Sequence, residues 1–149
     1  MSIGKHCNPN VVCASRDTTE LEAAHLMRHN HVGDVIVVDE VEGGKRPVGI
    51  VTDRDIVVEV VSARLDPATV ELRDLQTRPL VAVRDGADYA ETVRSMVQHG
   101  VRRMPVIDDA GLLVGVITLD DLLRELARPL AELSNIPPLE RAREFLGRP

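Results

Sequence analysis

The chain repeats itself, and that constrains its fold more than any other feature. Gly49 to Ile56 reads GIVTDRDI, and Gly115 to Leu122 reads GVITLDDL. Both give a glycine, two branched apolar residues, Thr, two variable residues, Asp and an apolar residue. Upstream, VVCASRDTTELEAAHLMRHNHVGDVIVVDE lies over VAVRDGADYAETVRSMVQHGVRRMPVIDD at an offset of 69, Val12 meeting Val81, Met27 Met96 and Asp39 Asp108. Three extra residues in the Gly-rich turn VEGGKRP then reduce the offset to 66, so that Gly49 meets Gly115. A copy of this size buries too little surface to be stable alone, so the two must share a core. The expected division is 1–66 for the first copy, 67–127 for the second and 128–149 for a tail.

Within each copy the apolar periodicity changes type. A β run comes first (NVVCA, PLVAV). A helical pattern follows, carried by Leu21, Ala24 and Met27 in one copy and by Val93, Met96 and Val97 in the other. Two β runs joined by a turn come next (DVIVVD with PVGIV, MPVID with LVGVI), and a helix closes each copy (DRDIVVEVV, LDDLLRELA). The order is β-α-β-β-α, twice, which is an α/β (α+β) fold class. Between the copies, Pro67 breaks the chain and VELRDLQ reads as a short helical turn. The tail carries PLERAREFLG, a helix entered by Pro and ended by Gly.

Composition narrows the function. With one Tyr, one Phe and no Trp, the core is built from Val, Ile, Leu and Ala, and platforms for stacking single-stranded nucleic acid are missing. A formal charge of −6 argues against a general affinity for phosphate backbones, so no nucleic-acid partner is expected. Cys7 and Cys13 form neither a CxxC nor a zinc spacing. No apolar run approaches bilayer length and no apolar leader opens the chain, so a cytoplasmic protein without a membrane partner is expected.

The repeated Thr-x-x-Asp admits two readings. As a capping box, the Thr oxygen accepts from the backbone N–H three residues on and the Asp reaches back, next to the positive end of the helix dipole. The same geometry suits a ligand. A carboxylate at a helix N-terminus accepts hydrogen bonds from a vicinal diol such as that of a ribose. A hydroxyl beside free backbone N–H groups suits a phosphate. The glycines would let a ligand approach the backbone closely.

Two β-α-β-β-α copies that each end in this motif resemble a cystathionine β-synthase (CBS) domain pair, or Bateman module, of the stand-alone bacterial type, over about residues 1 to 127. The resemblance implies two copies packed sheet to sheet as a pseudo-two-fold pair, with two clefts between them that bind adenine nucleotides, and a disc-shaped homodimer. It implies a first cleft with Asp55 on the ribose, Thr52 beside it, the adenine against Ile50, Pro79, Leu80 and Val81, and the phosphate facing Arg102 and Arg103. A second, weaker cleft would use Thr118 and Asp121 with Val116, Asn10, Val11 and Val12. There the first copy offers Gly33 and Asp34 where the second has the two arginines, and a carboxylate repels a phosphate.

The function expected from the resemblance is a non-enzymatic regulatory or sensor module for AMP, with ATP, ADP or NAD as runners-up, acting in trans on a protein target. A ligand-free dimerisation module is the alternative, and an enzyme acting on a nucleotide is a further rival. The sequence shows no G-x-S-x-G, no Walker A and no Rossmann fingerprint. His25, His29 and His31 have a spacing compatible with a metal but no convergent Cys or carboxylate, so they are read as solvated and no metal is expected.

Overall fold

The computed structural model describes residues 2–75 and 79–147. Gln76, the last residue of the expected helical turn between the copies, and the final two residues of the tail lie outside the described residues. The first copy contains β1 (Cys13–Ala14), α1 (Glu20–Asn30), β2 (Asp34–Val41), β3 (Gly44–Thr52) and α2 (Asp53–Asp55). A π-helical segment, Ile56–Val61, continues α2. After α3 (Leu72–Leu75), the second copy contains β4 (Val83–Arg84), α4 (Tyr89–His99), β5 (Arg103–Ile107), β6 (Leu113–Thr118) and α5 (Leu119–Ser134), and α6 (Ile136–Leu146) ends the chain.

Each copy forms a three-stranded sheet, β1-β2-β3 and β4-β5-β6, with the first strand parallel and the third antiparallel to the middle one. The repeat extends to irregularities. Both middle strands shift register at the same place, between Val37 and Val38 and between Val106 and Ile107, opposite Gly49 and Gly115. Both long helices end in a left-handed residue, His31 at φ 55 and Gly100 at φ 64. The insertion in the first copy extends its hairpin to the Gly43–Gly44 turn, where both residues have positive φ.

Four expectations need correction. Of the opening β runs, only Cys13 and Ala14 in the first and Val83 in the second enter the sheet ladders, and Arg84, just past the second run, joins Val83. On α1 and α4 the buried faces are Glu20, Ala23 and Met27, and Thr92 and Met96, whereas Leu21 and Val97 are exposed. The helix expected over 53–61 is α-helical for one turn and π-helical after it. The helix closing the second copy does not stop at Ala127 but runs through Pro129 to Ser134.

Three apolar clusters organise the interior. One belongs to the first copy (Ala23, Met27, Val35, Val37, Val51) but includes Leu72. Another belongs to the second copy (Met96, Met104, Val106, Ile117, Leu122) but includes Ile3. Ile3 and Leu72 are equivalent residues, 69 apart in the repeat register, so each copy lends its opening turn to the other copy's core. Backbone bonds hold both exchanges: Ile3 and Gly4 N–H donate to Ala87 and Asp85 carbonyls, and Leu72 N–H donates to Thr18. The third cluster, Ile36, Val38 and Val116 with Val11, Cys13, Ile50 and Leu113, lies between the two sheets.

Candidate functional site

Both Thr-x-x-Asp motifs sit where a sheet-edge strand turns into a helix, and both are complete capping boxes. Thr52 Oγ1 accepts from Asp55 N–H at 3.1 Å, and Asp55 Oδ2 accepts from the Thr52 N–H at 2.8 Å and its hydroxyl at 2.9 Å. Thr118 and Asp121 repeat this at 3.2, 3.0 and 2.7 Å. Each hydroxyl therefore has its proton committed to its Asp. The N–H that opens each helix, on Asp53 and Leu119, donates to the carbonyl of Gly33 and Arg102 respectively.

The two carboxylates differ in what they have left. Asp121 Oδ1 accepts from Arg124 Nη1 at 3.0 Å, within its own helix. Asp55 Oδ1 has no hydrogen-bond partner among the described residues. An unengaged carboxylate oxygen at a helix N-terminus can accept a hydrogen bond from a hydroxyl group of a ligand.

Strand register fixes where the arginines are anchored. Arg103 lies directly across from Thr118, as Asp34 lies across from Thr52. The expectation joined Arg102 and Arg103 to Asp55, in the other copy. Arg102 is exposed. Arg103 does reach the first copy, and its Nη1 pairs with Asp34 Oδ1 across the junction between the sheets. Gly33 lies over this pair: a Cβ there would stand 3.3 Å from Asp53 Oδ2 and 3.8 Å from Arg103 Nη1.

The apolar residues divide by strand alternation. Ile50, Val116 and Val11 face the layer between the sheets. Val81, expected at the adenine of the first cleft, and Val12, expected in the second cleft, turn the other way and pack into their own copies' cores. Pro79 and Asn10 are exposed and Leu80 is half-buried. A groove beside the layer is lined by Pro9, Val11, Cys13, Lys45, Leu113 and Val114. Gly115 admits no ligand. An added Cβ would meet Cys7 Sγ at 2.6 Å and the Asn8 carbonyl oxygen at 2.7 Å, because the chain's own N-terminal segment bridges to Val116 there.

Sequence reasoning missed Glu20. Its side chain is buried and neither carboxyl oxygen has a hydrogen-bond partner among the described residues. Burial pushes its pKa up to about 7, with the negative charges of Asp55 and Asp74 adding to the effect. The repeat register held a signal: Glu20 occupies the place of Tyr89, whose hydroxyl donates to the Leu122 carbonyl at 3.3 Å. His25, His29 and His31 line an open depression with Arg28, and among the described residues no three His, Cys, Asp or Glu side chains form a metal-ligand set. No helix among them is long and apolar enough to cross a membrane.

Comparison with known proteins agrees with this architecture. The CBS domain family matches residues 3–62 and 72–128. Hypoxic response protein 1 of Mycobacterium tuberculosis is 34% identical over 119 residues, 80% of each chain. An uncharacterized protein of Methanopyrus kandleri is 36% identical over 124 residues, 83% of this chain and 62% of that one, so this chain spans somewhat under two thirds of it. Among solved structures, a CBS-domain protein of Pyrobaculum aerophilum complexed with AMP superposes with a TM-score of 0.74 at 26% identity, covering 86% of this chain and 99% of that one. With two matched repeats, two sheets in one pseudo-symmetric pair and a Thr-x-x-Asp box closing each, the chain belongs to the CBS-domain family as a tandem pair.

Proposed function

We propose that the pair is a non-enzymatic regulatory module that binds an adenine nucleotide between its repeats, AMP first, with ADP, ATP or NAD as further ligands. The observation that carries this is the unengaged Oδ1 of Asp55, held at a helix N-terminus beside the apolar layer that contains Ile50. Arg103, paired with Asp34, lies at the same junction. The relative of Pyrobaculum aerophilum solved with AMP supports the choice of ligand. A ligand spanning both copies favours the relative orientation in which its contacts are best, and shifts the population by no more than its differential affinity for the two orientations. The output is a protein target acted on in trans, in the cytoplasm.

A homodimer completes the reading. Val57, Val58 and Val61 of the π-helical segment and Leu123 and Leu126 of α5 are exposed apolar residues on the two helices that follow the motifs. Apolar surface gathered in this way marks an interface. A second reading has its own support: the capping bonds of both boxes are made within the chain, as a ligand-free dimerisation module would require.

A thermal-shift panel of AMP, ADP, ATP, NAD and adenosine separates the two. Nucleotide binding raises Tm in a concentration-dependent way, by linkage to the native state. Asp55→Ala abolishes the rise, while Asp121→Ala retains most of it. A flat panel with a dimer in light scattering establishes the ligand-free module instead.

A further inference from the structure

Asp34 and Arg103 are the same residue of the repeat, 69 positions apart. Each opens the middle strand of its sheet, and each lies across from the Thr of its own copy's motif. Packing the sheets about a pseudo-two-fold axis brings equivalent strand openings together. Identical charged residues there would repel; the exchange of Arg for Asp turns the contact into an ion pair. The pair is largely withdrawn from solvent, the side chains being 33% and 17% exposed. It lies between the two Thr-x-x-Asp boxes, each partner lying across from one of the two threonines.

We propose that Asp34 is a specificity-determining residue, which masks the Arg103 guanidinium and so reduces the preference of the site for phosphorylated over unphosphorylated adenosine. This rests on the nucleotide-binding reading above. A free arginine gives a phosphate charge-assisted hydrogen bonds that adenosine lacks. Here the phosphate must first displace a carboxylate that already makes such a bond, and the displaced charge stays within the junction and repels it. The gain and the loss are of one kind and nearly cancel. Arg103 is thus held in reserve, and the identity of residue 34 sets how much a phosphate contributes to affinity.

The test is calorimetric titration of AMP and of adenosine into the wild type, Asp34→Asn and Asp34→Ser, the serine variant guarding against a folding defect in the first. Both substitutions should strengthen AMP binding about tenfold or more, the worth of one charge-assisted hydrogen bond, and leave adenosine unchanged. Arg103→Gln alone should move the AMP-to-adenosine ratio little, while Arg103→Gln added to Asp34→Asn should cancel the gain. A purely structural ion pair would weaken both ligands alike and keep the ratio constant. If both ligands bind and the ratio does not change in either Asp34 variant, masking is overturned and the nucleotide reading stands. If neither ligand binds any of the proteins, both are overturned.

Discussion

Glu20 is buried where no donor among the described residues meets it, and that makes stability depend on pH near neutrality. Its carboxyl titrates at about 7 in the folded protein against an ordinary value of 4.5, chiefly through burial, with Asp55 of α2 and Asp74 of α3 contributing negative charge. Arg73, next to Asp74 in sequence, pairs with Asp17 and Glu71 at the surface. A folded-state pKa above the unfolded one means that the native state holds the proton more tightly. Stability from this group is therefore fully present below pH 4.5, declines as pH rises and has been lost above about 7. The full difference corresponds to about 3 kcal/mol. Glu20→Gln should be more stable than the wild type at pH 8 and about equal to it at pH 4.5. Urea unfolding at the two pH values checks this, and an equal offset at both would contradict it.

Among the elements, the two helices after the motifs begin alike and then diverge. In α5 the Leu122 carbonyl receives the Tyr89 hydroxyl, and the helix is α-helical over its 16 residues despite Pro129. Ile56, the equivalent of Leu122, opens the π-helical segment, and opposite it the first copy has Glu20 in place of Tyr89. The N-terminal segment shows the same dependence on a single position. It bridges to β6 through reciprocal Asn8–Val116 bonds of 2.9 and 3.0 Å, and passes Gly115 too closely for any side chain. Gly115→Ala should force the segment off the strand at a cost of about 2 kcal/mol. Hydrogen exchange at the Asn8 and Val116 amides should accelerate while β5 stays protected; unchanged protection at Asn8 would refute the contact.

At the scale of the molecule, the two copies are tied by exchange rather than by a linker. Leu72 is fully buried in the first copy's core, although the repeat register assigns it to the second, and Ile3 does the converse. Neither copy has a complete core without the other. Leu72→Ala should cost about 2–5 kcal/mol, as for other large buried truncations. Unfolding should remain a single transition in which helix α4 melts together with α1. Separate transitions for the two copies would show that the exchange does not couple them.

The features legible in the chain are those that local chemistry sets. The β-α-β-β-α order, the capping boxes at Thr52 and Thr118, the Gly-rich hairpin turn and the tail helix entered by Pro and closed by Gly147 all follow from periodicity and spacing within a few residues. The equivalence of the two copies was legible from aligned residues alone. The tertiary structure decided the rest. Val11 faces the layer between the sheets and Val12 the core because the sheets pack on one particular face of each strand, and a run such as NVV carries no label for that face. Arg103 is spent on Asp34 because pseudo-symmetry brings together residues 69 apart, and charge at that distance in sequence implies nothing until the axis is in place. Glu20 looks like an ordinary first-turn acid, yet the linker from the other copy covers it, the Glu20 N–H donating to the Val70 carbonyl at 2.9 Å. Burial is a property of what packs on top, and no residue encodes that alone.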